Sequence, residues 1–239
     1  MQIQIIKCLQ DNYSYLIIDE TNLNACVVDP SESKPIIDFV ENNNINLKYI
    51  LNTHHHFDHV GGNKELKKRY NSNVIGFKGD KDRIPEIDIL VDDQNIWREG
   101  NFEAKIYHIP GHTSGHIAFH FFKEKKIFTG DTLFSLGCGR LFEGTYEQMF
   151  NSLKKIKTLH KDTEVYCGHE YTLQNSNFCA KYDSNNFQLK NKITKIKEKL
   201  ESGLPTVPTI LSEEIQCNLF LKANDVQTFS KLRDLKDNF

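Results

Sequence analysis

The chain has 239 residues, 38% of them hydrophobic, with 30 basic and 32 acidic residues and a formal net charge of −2. That length allows one large domain with an appendage, and the balanced charge supplies no overall attraction for nucleic acid, which counts against a nuclease. The amino terminus runs straight into Ile3-Gln4-Ile5-Ile6 with no charged region before a long apolar stretch, so neither a secretory signal nor a membrane span is expected and a cytoplasmic location is.

Short apolar runs separated by polar turns, Ile3 to Leu9, Tyr13 to Asp19 and Ala25 to Asp29, read as strands, and Pro35 to Val40 starts a helix with Ser33 near its cap. Tyr49-Ile50-Leu51 reads as a buried strand. It leads into Thr53-His54-His55-His56-Phe57-Asp58-His59, after which Val60-Gly61-Gly62 lets the chain turn sharply into a helix over Asn63 to Arg69. While the chain is extended, alternate side chains share a face, so His54 and His56 can bind one ion while His55 points away. Asp58 and His59 lie beyond the bend and can serve a second ion.

Three further strands run into a metal-ligating residue beside a glycine. Ile106 to Ile109 precedes Pro110-Gly111-His112, Lys126 to Phe128 precedes Thr129-Gly130-Asp131, and Glu164 to Cys167 precedes Gly168-His169. Glycine permits tight turns and close approach of backbone to an ion. The count then sets the nuclearity: His54, His56 and His112 make one site, Asp58, His59 and His169 a second, and Asp131 is the carboxylate left to bridge them. A donor set of imidazole and carboxylate leaves room for a bound water or hydroxide and suits hydrolysis better than a closed structural site. None of the six cysteines forms a Cys-x-x-Cys pair, so buried reduced thiols in a reducing compartment are expected. His55, His108, His120 and His160 are expected to be hydrogen-bonded or surface residues, while His116 is placed to orient a ligand loop.

Farther along, His116 to Phe122 and Lys126 to Thr129 resemble paired strands, and Tyr146 to Leu159 carries Met149, Phe150, Leu153 and Ile156 on one helical face. Beyond His169 the pattern is mainly helical. In the basic run over residues 190–199, Leu189, Ile193, Ile196 and Leu200 recur at helical spacing, which predicts a solvated lysine face opposite them.

The strings Thr53 to His59, Pro110-Gly111-His112-Thr113, Gly130-Asp131 and Gly168-His169 resemble the metallo-β-lactamase superfamily. Within it, Gly137-Cys138-Gly139-Arg140-Leu141-Phe142-Glu143-Gly144-Thr145, Gly168-His169-Glu170-Tyr171-Thr172 and the tail through Phe239 look most like the glyoxalase II, or hydroxyacylglutathione hydrolase, family. The resemblance implies an α/β (α+β) chain: an αββα sandwich over residues 1–169, then a small helical domain over 170–239 whose last helix reaches back over the metals. It implies two divalent cations, zinc with iron or manganese as alternatives, and Arg140, Phe142, Tyr171, Arg233 and Lys236 where relatives hold glutathione. The chemistry agrees, since glutathione carries two carboxylates, Arg supplies a planar donor fork and Lys a point charge. Some relatives have Lys-Phe-Tyr where this chain has Arg140-Leu141-Phe142, so a phenol hydroxyl is absent here. Asn218-Leu219-Phe220-Leu221-Lys222 departs at two positions from a family Asn-Pro-Phe-Leu-Arg segment.

The implied reaction is hydrolysis of S-D-lactoylglutathione to D-lactate and glutathione by a metal-bound hydroxide held by Asp58 and Asp131, the second step of methylglyoxal removal. A monomer acting on a small molecule, with no nucleic-acid or membrane partner, is expected. The rivals are a β-lactamase, disfavoured by Asp131 and the helical tail; a single-iron persulfide dioxygenase, disfavoured by the tail and the basic pair; and a metal-binding module without turnover.

Overall fold

Strand alternation gives way to continuous burial where the chain enters the middle of a sheet. β1 (Gln2–Cys8) is only partly covered, whereas β2 (Asn12–Ile18) is buried at every position, as a strand with both faces covered must be. The computed structural model describes Met1–Phe239, and the chain divides into two units, one of Met1–His108 with Gly115–Glu124 and the other of Ile109–Ser114 with Lys125–Phe239.

In the first unit a six-stranded sheet runs in the order β1, β2, β3 (Asn24–Val28), β4 (Asn46–Leu51), β5 (Asn73–Phe77), β6 (Ile87–Val91). Its first three strands are antiparallel and the rest pair in parallel. The parallel strands are fed by α1 (Lys34–Asn42), by the one-turn α2 (Phe57–Val60) with α3 (Asn63–Tyr70), and by a 3₁₀ turn at Lys78–Asp80. Ile36 and Val40 of α1 and Leu66 of α3 pack with Leu16, Val27, Ile50 and Val74 of the sheet in one core. The same unit contains the antiparallel strands β7 (Ile96–Glu99), β8 (Phe102–His108) and β9 (Ile117–Phe121). The rings of Trp97 and Phe102 meet Tyr49 of β4 edge-on at 5.3 and 6.2 Å, so two sheets share this interior.

In the second unit β10 (Lys126–Gly130) pairs in parallel with β13 (Glu164–Cys167), which pairs antiparallel with β14 (Thr209–Ile210); β11 (Leu133–Phe134) and β12 (Gly137–Cys138) form a short hairpin. The helices are α4 (Tyr146–Lys157), α5 (Thr172–Tyr182), α6 (Phe187–Glu201), α7 (Leu211–Cys217), α8 (Leu219–Lys222) and α9 (Val226–Asp237). Thr145 and Gln148 close a capping box at the start of α4, and Met149, Leu153 and Ile156 form its buried stripe. Phe178, Phe220 and Phe229 fill the space among α5, α8 and α9.

Most expected elements appear within a residue or two of the expected bounds. β14 returns to pair with β13 and ties the helical tail to the strands before it. One feature differs. Lys192 of α6 is buried instead of solvated, since its ammonium is bonded by Glu213, Glu214 and Thr209. No helix is long and apolar enough to cross a membrane. All six cysteines are free and buried, as the absence of a framework spacing suggests.

Candidate metal centre

In the first unit β4 ends at Leu51, and the next residues are held by one carboxylate. Asp29, fully buried past the end of β3, accepts from the Thr53 amide at 2.7 Å and the Thr53 hydroxyl at 2.6 Å, and lies 3.0 Å from His59 Nδ1. Because the Thr53 hydroxyl proton is spent on Asp29, its oxygen accepts from His54 Nδ1, 3.1 Å away. His59 Nδ1 likewise donates to Asp29. Both rings are therefore fixed as the tautomer whose Nε2 carries a lone pair, the form a metal requires. Asp29, His54 and His59 offer donor atoms within 4.8 Å of one another, but with three donors already on its oxygens Asp29 is an anchor and not a ligand.

The ring centroid of His54 is 4.8 Å from that of His56 and 4.1 Å from that of His59. His116 stacks on His54 at 4.5 Å, as a group supporting a ligand ring would. Asp58, on α2, sets Oδ2 3.6 Å from His59 Nε2 and accepts from Asn12 Nδ2 at 3.0 Å through both its side chain and its carbonyl. His55 turns to Asp80, Nδ1 to Oδ2 3.3 Å. The first unit thus brings together His54, His56, Asp58 and His59.

The second unit brings together His112, Asp131 and His169. Nε2 of His112 and Nε2 of His169 lie 3.5 and 3.2 Å from the same oxygen, Asp131 Oδ2. His112 Nδ1 donates to the Arg140 carbonyl at 2.8 Å, which again leaves Nε2 with the lone pair. Gly139 is required at the turn between them: a Cβ there would stand 1.9 Å from the Asp131 carbonyl oxygen. The residues with the resemblance to a glutathione site lie in this unit too. Tyr171 stacks on His169 with centroids 4.7 Å apart and planes 6° apart, and the exposed Phe142 meets His112 edge-on at 5.1 Å. The Arg140 Nε, on a side chain 63% exposed, is 3.3 Å from Asp237. Lys236 packs over Phe178 and Phe239, and its pKa is lowered by burial and then by the Arg233 and Arg140 charges.

Arg233 differs in kind from its neighbours. It is 3% exposed, Nη1 donates to the Cys138 carbonyl at 2.7 Å and Nη2 to Asp237 at 2.9 Å. Its guanidinium joins α9 to β12.

Asn12 and Asp29 hold candidate ligand side chains in place, and the motif pattern does not single them out. Asp29 had a usable signal, a carboxylate directly after an apolar strand, but it has no glycine beside it. Asn12 had none at short range, since its partner is 46 residues away.

Residues 10–169 match the model of the metallo-β-lactamase superfamily, and residues 170–239 match that of the hydroxyacylglutathione hydrolase C-terminus. The chain is 67% identical, over all 239 residues and the whole of the relative, to a hydroxyacylglutathione hydrolase of Pelagibacter ubique. It is 40% identical to one of Methylococcus capsulatus, covering 100% of this chain and 99% of that one. Among solved structures, ETHE1 from Myxococcus xanthus superposes with a TM-score of 0.75 at 23% identity, over 98% of this chain and 90% of that one. The BLEG-1 B3 metallo-β-lactamase gives 0.73 at 21% identity, over 93% and 100%. These two share the fold, whereas the sequence relatives and the C-terminal match specify the branch: the chain belongs to the hydroxyacylglutathione hydrolase family of the metallo-β-lactamase superfamily.

Proposed function

We propose that this chain is a thioester hydrolase that cleaves S-D-lactoylglutathione and related 2-hydroxyacyl glutathiones to the 2-hydroxy acid and glutathione, the second step of methylglyoxal detoxification. His54, His56 and His112 would hold one divalent cation and Asp58, His59 and His169 the other, with Asp131 as the carboxylate available to both. The observation that carries this reading is the shared approach of His112 and His169 to Asp131 Oδ2, two imidazoles on one carboxylate oxygen. The donor set fits zinc, with iron and manganese as alternatives whose loading availability decides. When bound, the pair of cations lowers the pKa of a shared water and polarises the thioester carbonyl.

The residues of the chain orient and hold. Asp29 and Thr53 lock the rings of His59 and His54, and the Arg140 carbonyl locks His112, so the donors are aimed before any ligand arrives. The leaving thiol has an ordinary pKa of about 8.5, so it departs as thiolate without a protein acid. Arg140 and Lys236 supply charge for the glutathione carboxylates, Tyr171 and Phe142 supply walls, and Arg233 acts from behind on the Cys138 carbonyl. Phe142 brings no hydroxyl to bond the peptide. Residues 170–239 are the substrate-binding part, the protein acts as a monomer on a small molecule, and six buried reduced thiols suit a cytoplasmic enzyme.

The test is metal analysis of the purified protein beside turnover assays on a panel of glutathione thioesters, a β-lactam and an RNA. Turnover of the thioesters alone supports the reading. Turnover of the β-lactam or the RNA, with the thioesters untouched, overturns it.

A further inference from the structure

The β11–β12 hairpin lies between the two sets of residues to which the second unit owes its chemistry. On one side Gly139, just past β12, donates its amide to the Thr132 carbonyl at 3.3 Å and approaches Asp131 so closely that no side chain fits. On the other, the Cys138 carbonyl takes Arg233, and Arg140 follows. The turn itself is unfavourable. Leu136 has φ +57°, a left-handed conformation that a branched apolar residue adopts only when its surroundings over-determine it.

Those surroundings converge on one carboxylate. Glu214 of α7 is fully buried. Its Oε2 accepts from the Leu136 amide at 2.8 Å and from Asn218 Nδ2 at 3.0 Å. Its Oε1 accepts from the Thr209 hydroxyl at 2.7 Å and the Ser135 hydroxyl at 3.3 Å, and stands 3.0 Å from Lys192 Nζ. Burial pulls the Lys192 pKa down, but Glu214 and Glu213 more than offset it and hold the ammonium charged. Asn218 also donates to the Phe134 and Gly137 carbonyls, and Asn175 of α5 to the Ser135 carbonyl at 3.1 Å. A buried charge with this many partners is costly to assemble and rigid once satisfied.

We infer that Glu214, paired with Lys192, is a positioning residue for glutathione recognition: it fixes the left-handed turn at Leu136 and so sets where Cys138, Arg140 and Arg233 stand. The inference rests on the proposed thioester hydrolysis. In Glu214→Gln one acceptor becomes an amide donor facing donors, so the turn loses its anchor while shape is kept. Asn175→Ala releases the same turn from a different helix, and it carries the test if the first variant does not fold.

The experiment uses the metal-loaded full chain and two readouts: steady-state kinetics on S-D-lactoylglutathione and on a small thioester lacking the peptide, and equilibrium binding of a non-hydrolysable S-alkyl glutathione. The expected result is a rise of about tenfold in KM and in the S-alkyl glutathione Kd. Metal content, kcat and turnover of the small thioester should stay near wild type. Unchanged glutathione binding in the variants overturns the inference, and so does an equal loss on both thioesters with loss of metal. A wild-type enzyme that ignores glutathione thioesters overturns the parent reading as well, which separates the two failures.

Discussion

His169 Nε2 stands 3.2 Å from Asp131 Oδ2, and His112 reaches the same oxygen from the end of a different strand. One carboxylate oxygen therefore faces both imidazoles, as the proposed bridge between two metals requires. Asp131→Ala should release both cations together, since the imidazoles around the pair lose the negative charge that compensates the metals. Metal content by elemental analysis, followed with thermal unfolding, checks this. Retention of both ions at near-normal turnover would make Asp131 structural and the ligand map wrong.

Arg140, Lys236 and Arg233 should separate by where they sit. Lys236→Ala should raise KM for glutathione thioesters by roughly tenfold or more, equivalent to about 1.5–3 kcal/mol for a shielded charged hydrogen bond, and Arg140→Ala, at a more exposed side chain, by less, both with little change in kcat. Arg233→Ala should also lower stability, because it leaves the buried Cys138 carbonyl without its donor. The lowered pKa of Lys236 adds a pH signature: KM should climb on the alkaline side below the ordinary lysine range as the ammonium is lost, and Lys236→Arg should remove that limb. A flat alkaline profile in wild type would contradict the assignment.

The fold was legible where one residue's environment follows from its neighbours in sequence. Strand alternation and the Met149, Leu153 and Ile156 stripe needed only spacing. Lys192 was misread for the same reason: its spacing puts it among lysines, and only α7, folded against α6, supplies the carboxylates that bury it. The ligand candidates were readable because each follows a strand. Asp29 follows one as well, but a search keyed to glycine passes over it, and the commitment of Arg233 to Cys138, 95 residues away, has no local trace.

His120 is buried, its Nδ1 makes no hydrogen bond, and its pKa is lowered to about 4 by burial and then by the Lys105 charge. Because the folded pKa lies below the unfolded value near 6.5, this residue favours folding fully above about pH 6.5, and that contribution is lost as pH falls toward 4. His120→Phe, which keeps a ring there, should flatten the acid slope by at most ~3 kcal/mol between those limits. Urea midpoints of the metal-free proteins at pH 7 and pH 5 report it. Identical acid losses in the two proteins would remove His120 from the account.

Burial pushes the Cys138 thiol up to about 11 and those of Cys167 and Cys179 to about 12. Raised thiol pKa values stabilise the fold below the ordinary thiol range and cost stability as pH rises through it. At pH 8 these thiols should resist alkylation until the chain unfolds. Rapid labelling of any of the three in native protein would show that the interior is open.

The central claim is tested most directly by following glutathione release from S-D-lactoylglutathione while the metal content is set. Protein reconstituted with zinc should bind close to two equivalents and release one glutathione per D-lactate, lose turnover when a chelator strips the metals, and regain it on their return. Turnover that persists in stripped protein, a ratio that stays at one after full reconstitution, or a doubly loaded enzyme that leaves the thioester intact would contradict it.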